Sequence, residues 1–157
     1  MTPEEQFELL TGDAMLVETE DDLMTKLKRD EPLRIKYGAD PSAPDLHLGH
    51  SVPLRKLRRF QELGHHIIFI IGDFTARIGD PSGKSKTRPM LSPQQIDINA
   101  ETYAEQVDQI LDMDRCELVY NSEWLKDLGL DGFLQLASHY TVARMMERDD
   151  FAKRMER

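Results

Sequence analysis

The sequence predicts an α/β fold built on a parallel sheet. A helical pattern at about 47–63 separates two apolar strand patterns, at 33–38 and 65–72, and this order is typical of a parallel strand pair with a helical crossover. The second strand contains a continuous apolar run at 67–71, as expected for a central parallel strand with both faces covered. Polar, glycine-containing segments follow both strands, and open α/β sheets bind ligands at the carboxyl ends of their strands. We therefore expect helices on both faces of the sheet and a binding site at one edge.

The composition is typical of one water-soluble domain. The chain has 157 residues, of which 39% are hydrophobic and 31% are charged, enough for a single buried core. A net charge of −9 argues against nucleic-acid binding through a general positive field. The single cysteine, Cys116, allows no intrachain disulfide and favours a reducing compartment. Because the sequence has neither a signal-peptide pattern nor an apolar run of membrane-spanning length, we expect a cytoplasmic protein that does not bind a membrane.

Two short helices are predicted before the first strand. The first covers 3–10 and begins at a proline, and the second covers 19–29, where Thr19 and Asp22 have the spacing of a capping box. We assign residues 1–32 to an N-terminal helical lid and residues 33–157 to the sheet domain.

After the second strand, the apolar pattern gives way to a polar, glycine-containing segment. Segment 73–89 is glycine-rich, has basic residues near its end and is predicted to be a loop. Ser92, Pro93 and Gln95 then predict the start of a helix, as an N-cap, a first-turn proline and a capping-box partner. Its buried stripe is predicted to be Ile96, Ala100, Tyr103, Val107 and Ile110.

A third strand and further helices are predicted in the last part of the chain. The strand covers 117–120, and helical patterns follow at 122–125, 130–137 and 142–155. At the start of the second strand, His65 and His66 are both expected at the surface.

The first candidate phosphate site follows the second strand. Gly79, Gly83, Lys84 and Ser85 come one residue short of a nucleotide-binding P-loop, because position 78 is isoleucine instead of glycine. The near match also does not follow its strand directly, so a P-loop NTPase is disfavoured. A G-x-G-x-x-G dinucleotide fingerprint is absent from the sequence.

The second candidate is the segment His47-Leu48-Gly49-His50, at the start of the long helix. Histidines three residues apart lie on the same side of a first helical turn, where the free backbone N–H groups favour an anion. Imidazoles can donate hydrogen bonds to a phosphoryl group, and the glycine lets a flat ring approach the backbone. By itself the motif is more often a pair of structural histidines, so other segments must decide its meaning.

Five segments, in order, resemble the amino-terminal half of the catalytic domain of bacterial tyrosyl-tRNA synthetases, which are class I aminoacyl-tRNA synthetases. The resemblance implies the first half of a Rossmann-like nucleotide-binding domain, and the His47–His50 segment is similar to the first signature motif of this class. The five segments are 38–50, 60–65, 71–75, 78–84 and 121–124.

The resemblance implies a reaction and its partners. Tyrosine and ATP would form tyrosyl-adenylate and pyrophosphate, and the tyrosyl group would then pass to tRNA(Tyr). We also expect Mg²⁺ to accompany ATP, and no metal ligands from the protein.

The resemblance also assigns roles to individual residues. Those implied for catalysis are His47, His50, Lys84 and Arg88. Those implied for ATP binding are Gly38, Asp40, Ser42, His47, Gly49 and His50. Those implied for tyrosine binding are Tyr37, Asp80 and Asn121, with Asp80 against the substrate ammonium group.

The sequence departs from this family in two respects. Lys36 occupies the position of the tyrosine that reads the substrate hydroxyl, and Tyr37 should point to the opposite face of the strand. The second signature loop and the anticodon-binding region are expected to be absent. We therefore also expect an exposed apolar edge or face, and for that reason a homodimer, a fragment or a marginally stable chain.

Two alternatives to the ligase stay open. One is a truncated, non-catalytic module that binds ATP or adenylate. The other is a related nucleotidyltransferase, against which Asp40-Pro41 and segment 79–84 argue.

Overall fold

The sheet of this protein has three parallel strands. The computed structural model describes residues 1–29, 31–78 and 91–156. The strands are β1 (Arg34–Ala39), β2 (His66–Ile71) and β3 (Cys116–Tyr120), and their spatial order is β1-β2-β3. Parallel pairing aligns Ile35 with Ile67, and Ile67 in turn with Cys116, so the carboxyl ends of all three strands meet at one edge. The predicted α/β class with a parallel sheet is confirmed.

Helices precede, connect and follow these strands along the chain. The ranges, in chain order, are α1 (Pro3–Thr11), α2 (Glu20–Leu27), α3 (Leu48–Glu62), α4 (Thr75–Ile78), α5 (Pro93–Asp108), α6 (Ser122–Leu125), α7 (Gly129–Ser138), α8 (Val142–Met145) and α9 (Asp149–Met155), with a 3-10 turn at Met113–Arg115.

One hydrophobic core lies between the sheet and helices α3 and α5. Side chains of β2 pointing to this side are completely buried, and four of the five predicted stripe residues of α5 are buried, with Ile110 packed at the core margin. The buried cluster comprises Leu54, Leu57, Ile67, Phe69, Ile71, Ala100, Tyr103, Val107 and Leu111. The remaining β2 positions, Ile68 and Ile70, are only partly buried, so the two faces of the strand differ more than its continuous apolar run predicts.

Gln61 ties the end of α3 to the connection between α5 and β3. Its side chain is 1% exposed, donates to the carbonyl of Asp112 over 2.8 Å and accepts the N–H of Asp112 over 3.0 Å. Both the donor and the acceptor of this buried amide are therefore hydrogen-bonded, and the two bonds join the segments much as a pair of strand hydrogen bonds would. It holds the two segments at one end of the core.

Capping side chains or a glycine mark several of the helix ends. Ser92 and Gln95 form the predicted capping box at α5, and Gly64 has a φ of 88° after α3, as a glycine at C′ should. Thr19 precedes α2 but makes no capping hydrogen bond through its side chain, so the prediction of a capping box there is wrong. The reciprocal box lies instead at α1, between Thr2 and Glu5.

Three other local predictions need correction. Residues 142–155 form two helices, because Arg148 is extended (ψ 126°) and interrupts the helical path. The predicted loop after β2 begins with a helical turn, α4. His65 is 8% exposed and not a surface residue, since its Nδ1 accepts the N–H of Leu33 and its ring packs 5.7 Å from Phe60.

The N-terminal helices are attached to α3. Asp13 forms ion pairs with Lys56 and Arg59, and the ammonium group of Lys56 also donates to the carbonyl of Leu10. These contacts hold the end of α1 and the residues that follow it against α3. The function of segment 1–32 as a lid stays a prediction.

Candidate nucleotide-binding site

The carboxyl ends of the three strands are joined by side-chain hydrogen bonds. Asp40 follows β1, Thr75 follows β2 and Asn121 follows β3. The Thr75 hydroxyl donates to Asp40 Oδ1 over 2.7 Å and accepts from Asn121 Nδ2 over 2.9 Å. Asn121 Oδ1 accepts the N–H of Phe74 over 2.9 Å. One carboxylate is thus held at the sheet edge by residues from all three strand ends.

Gly72 gives this carboxylate its space. A Cβ at position 72 would overlap Asp40 Oδ1 and would lie 2.7 Å from Thr75 Oγ1. Every residue except glycine would therefore displace Asp40 or Thr75.

The two histidines cap the start of α3 reciprocally. The N–H of Gly49 donates to His47 Nδ1 over 3.1 Å, and the N–H of His47 donates to His50 Nδ1 over 3.1 Å. The rings lie 4.0 Å apart, centroid to centroid. Because each Nδ1 is an acceptor, the proton of each neutral ring is on Nε2. Both rings therefore present an N–H donor beside a helix N-terminus, where an anion is favoured.

The absence of a side chain at Gly49 makes this histidine cap possible. A Cβ at this position would lie 2.9 Å from Cε1 and 3.0 Å from Nδ1 of His47. Room for adenine is the role implied by the resemblance, and in this structure the missing Cβ makes room for the His47 ring.

The electrostatics keep His50 neutral. Burial first, and then the neighbouring His47, lower the pKa of His50 below its ordinary 6.5, against a smaller opposing effect from the backbone of His47. Burial alone raises the pKa of the Tyr37 phenol. At pH 7 both groups are neutral hydrogen-bonding partners.

An open cleft of about 600 Å³ joins these groups. Its volume is in the range of small-molecule sites. The lining residues are Tyr37, Gly38, Ala39, Asp40, Ser42, Ala43, Asp45, His47, His50 and Tyr103.

Most of the residues implied for ATP binding thus lie together. Gly38, Asp40, Ser42, His47 and His50 line the cleft. Gly49 does not line the cleft, but its backbone N–H donates to Nδ1 of His47 and so orients that ring.

The residues implied for tyrosine binding are more dispersed. Tyr37 lines the cleft but also packs on the core side, 5.8 Å from Phe69, as its predicted strand face requires. Asn121 is 8% exposed and contacts Phe74 and Thr75. Asp80, Lys84 and Arg88 lie outside the described residues.

Helix α5 supplies residues that the sequence interpretation assigned no site role. Asn99 donates to the carbonyl of Pro41, and both Thr102 and Gln106 donate to the carbonyl of Pro44. Their spacing of three and four residues was a detectable signal, a polar stripe beside the apolar one. Tyr103, predicted only as core, reaches the cleft with its ring 6.4 Å from that of His50.

The residues that the structure describes contain neither a candidate metal cluster nor a candidate membrane span. In the ranges that the structure describes, no group of three His, Cys, Asp or Glu side chains could hold a metal ion. Within the same ranges, no helix has the length and apolarity needed to cross a bilayer.

The comparisons with known proteins agree with this geometry. The family model "tRNA synthetases class I (W and Y)" matches residues 28–157. A tyrosine–tRNA ligase of Aromatoleum aromaticum is 62% identical over 143 residues, 91% of this chain and 35% of that protein. The corresponding ligase of Thermotoga maritima is 56% identical over 156 residues, 99% of this chain and 39% of the relative. This chain therefore spans little more than a third of the length of these relatives.

Solved structures show the same fold. A tyrosyl-tRNA synthetase of Archaeoglobus fulgidus, complexed with L-tyrosine, superposes with a TM-score of 0.72 at 26% identity, covering 90% of this chain and 42% of that one. A C-terminally truncated mitochondrial tyrosyl-tRNA synthetase of Aspergillus nidulans gives 0.72 at 25% identity, covering 87% and 42%.

A parallel α/β sheet whose first crossover helix begins with His-x-Gly-His, beside an aspartate at a strand end, defines the Rossmann-like domain of a class I aminoacyl-tRNA synthetase. The family match narrows the assignment. The chain belongs to the class I tRNA synthetases of the tryptophan and tyrosine family.

Proposed function

We propose that this chain is the amino-terminal catalytic portion of a tyrosine–tRNA ligase and that its cleft binds ATP. The observation that carries the proposal is the reciprocal cap of His47 and His50, which leaves the ring proton of each on Nε2, in two histidines that line the same cleft as Asp40. In this arrangement the histidines bind the α-phosphate and Asp40 accepts hydrogen bonds from the ribose.

The reaction requires positioning and charge neutralisation more than covalent help. The carboxylate of tyrosine attacks the α-phosphorus of ATP, tyrosyl-adenylate forms and pyrophosphate leaves. Negative charge develops on the α-phosphate oxygens, where the imidazole N–H groups and the start of α3 stabilise it. The tyrosyl group then passes to tRNA(Tyr).

The tyrosine-binding and pyrophosphate-binding roles rest on the family resemblance. Asp80 holds the substrate ammonium group, and Tyr37 and Asn121 also bind tyrosine. Lys84 and Arg88 meet the leaving pyrophosphate. The ATP phosphate oxygens and water would hold Mg²⁺, because these are the ligands that it prefers.

The proposal includes a cytoplasmic homodimer. Helix α7 exposes a group of large apolar side chains, which a second copy would cover. These are Leu130, Phe133, Leu134 and Leu136, each more than half exposed.

The alternative is a non-catalytic module that binds ATP or adenylate. It needs only the nucleotide half of the site, the reciprocal histidine cap beside Asp40. The same cleft would then bind a nucleotide without turning it over.

Calorimetry with ATP tests the site. We expect ATP to bind the wild-type chain, and His50→Ala to weaken binding by about tenfold or more, because a hydrogen bond to a charged group contributes about 1.5–3 kcal/mol. His139→Ala is the matched control, since His139 is exposed at the end of α7. Absence of ATP binding, or equal affinity for wild type and His50→Ala, would contradict the proposal.

Amino-acid-dependent exchange of pyrophosphate into ATP separates the ligase from the alternative. Exchange stimulated by tyrosine, and not by tryptophan or phenylalanine, supports the ligase portion. Binding of ATP without exchange supports the non-catalytic module.

A further inference from the structure

A tight turn follows β1 at the edge of the cleft. The N–H of Ser42 donates to the carbonyl of Asp40 over 2.7 Å, so Pro41 is the central residue of a three-residue turn. Asp40 and Ser42 both line the cleft, whereas Pro41 between them is fully buried. The position of these two cleft residues therefore depends on how the buried proline is held.

Asn99 of α5 holds this proline. The side chain of Asn99 is 8% exposed, and its Nδ2 donates to the carbonyl of Pro41 over 3.0 Å. Because a carbonyl only accepts hydrogen bonds, the amide must direct its NH2 group to Pro41, and this fixes the orientation of Asn99. Both groups are removed from water, so loss of the donor would leave a buried carbonyl without this partner.

Helix α5 is itself fixed by its packing. Ile96, Ala100 and Tyr103, within four residues of Asn99 on the same helix, are each at most 2% exposed. Side chains in a close-packed core have little freedom to adjust their positions. The donor of Asn99 therefore holds the turn in one position before any ligand binds, and a site that is ordered in advance loses less conformational entropy on binding.

We propose that Asn99 is a positioning residue for nucleotide binding, which holds the turn at Asp40, Pro41 and Ser42 in the position in which the cleft binds ATP. This role requires the hydrogen-bond donor of the amide and no direct contact between Asn99 and the ligand. The inference rests on the proposed binding of ATP in the cleft, to which it adds a residue that does not line the cleft.

Calorimetry with ATP, combined with urea unfolding, tests this role in Asn99→Leu and Asn99→Ala. Leucine keeps the number and branching of the side-chain heavy atoms but has no donor, and alanine removes the donor without adding bulk. Affinity is measured at a temperature at which each variant is fully folded. We expect both variants to bind ATP about fivefold more weakly than wild type, because the turn is no longer held in its binding position.

Gln61→Leu is the matched control. Gln61 is also a buried amide that bonds to backbone groups across the core, with distances of 2.8 and 3.0 Å to Asp112. It lies near the end of α3, about 20 Å along the helix from the cap formed by His47 and His50. Gln61→Leu should lose at least as much stability as Asn99→Leu and should keep the wild-type affinity for ATP.

Each contrary result identifies what is wrong. A folded Asn99 variant that binds ATP as tightly as wild type would refute the positioning role and leave the proposed function intact. An equal loss of affinity in Gln61→Leu would show that any weakening of the core lowers ATP affinity, which refutes a specific role of Asn99. Failure of both Asn99 variants to fold would assign the amide to the fold alone. Absence of ATP binding by wild type overturns the inference together with the proposed function.

Discussion

His65 is a buried histidine at a junction between two segments. Its Nδ1 accepts the N–H of Leu33 at 3.2 Å, and burial lowers its pKa below the ordinary 6.5. The folded protein therefore keeps the ring neutral, as this hydrogen bond requires. Protonation would remove the acceptor and place a charge beside the ring of Phe60.

This histidine predicts a pH dependence of stability. The unfolded chain takes up a proton near pH 6.5 and the folded chain only at lower pH, so below about 6.5 the unfolded state binds more protons. The free energy of unfolding should therefore fall as the pH drops below about 6.5, by at most about 1.4 kcal/mol per pH unit for one proton. Urea unfolding between pH 7.5 and about 5 measures it.

His65→Asn is the informative variant for this prediction. Asparagine keeps a hydrogen-bond acceptor near the position of Nδ1 but does not titrate, so the decline should become shallower. It should not vanish, because the pKa of His50 is lowered too. Exposed His139 provides the control: His139→Asn should retain the wild-type profile. Identical profiles for wild type and His65→Asn would show that His65 does not contribute.

At the scale of an element, helix α5 packs into the core with one side and supports the cleft with the other. One stripe fills the core, while polar residues hold the segment between Asp40 and His47. Gln106 accepts the N–H of Leu46 at 2.8 Å and donates to the carbonyl of Pro44 at 3.0 Å. Because this segment carries both ends of the proposed ATP site, α5 contributes to the site without supplying its charged groups.

Gln106→Leu should separate these two functions of α5. Leucine leaves the N–H of Leu46 without its partner, while the Pro44 carbonyl keeps its bond from Thr102. The free energy of unfolding should therefore fall by about 1–2 kcal/mol. We also expect weaker ATP binding, since the segment before His47 loses its support. Gln94→Leu, an exposed change on the same helix, is the control for added hydrophobicity. Normal ATP affinity in a destabilised Gln106→Leu protein would show that the segment keeps its position without α5.

At the scale of the whole molecule, burial is uneven. The core lies on one side of the sheet, whereas Ile70 and Val119 on the other side are only partly buried. Helix α7 has no buried residue although its apolar side chains are large. The exposed apolar surface thus lies mainly on α7, whereas at the edge strand of the sheet Leu118 is 37% exposed. A surface such as that of α7 is typical of an interface.

Phe133→Glu tests the proposed homodimer. Phe133 is 57% exposed, and a charge there would be desolvated in an interface formed by α7. Sedimentation velocity should show a dimer for wild type and a shift to monomer for Phe133→Glu. Gln135→Glu adds the same charge at an exposed neighbouring position and is expected to remain a dimer. A monomeric wild type, or dimers of equal strength in both variants, would contradict an interface at α7.

The elements of the fold were largely predictable because their signals are local. The apolar run of β2 and the stripe of α5 each lie within one short segment, and Ser92 and Gln95 cap a helix through residues three apart. The exceptions are also instructive. His65 was wrongly predicted to lie at the surface, because its burial depends on Leu33, 32 residues earlier in the chain.

The sequence by itself determined the α/β class, the parallel order of strands and the His47–His50 segment, because periodicity, capping and a compact motif act over a few residues. The tertiary structure decided which residues complete the site. Thr75 joins Asp40 and Asn121 across 35 and 46 residues of chain, and Gln106 reaches Pro44 across 62. A lone threonine, asparagine or glutamine carries no pattern of its own. Its role is set by the neighbours that the folded sheet and α5 bring to it.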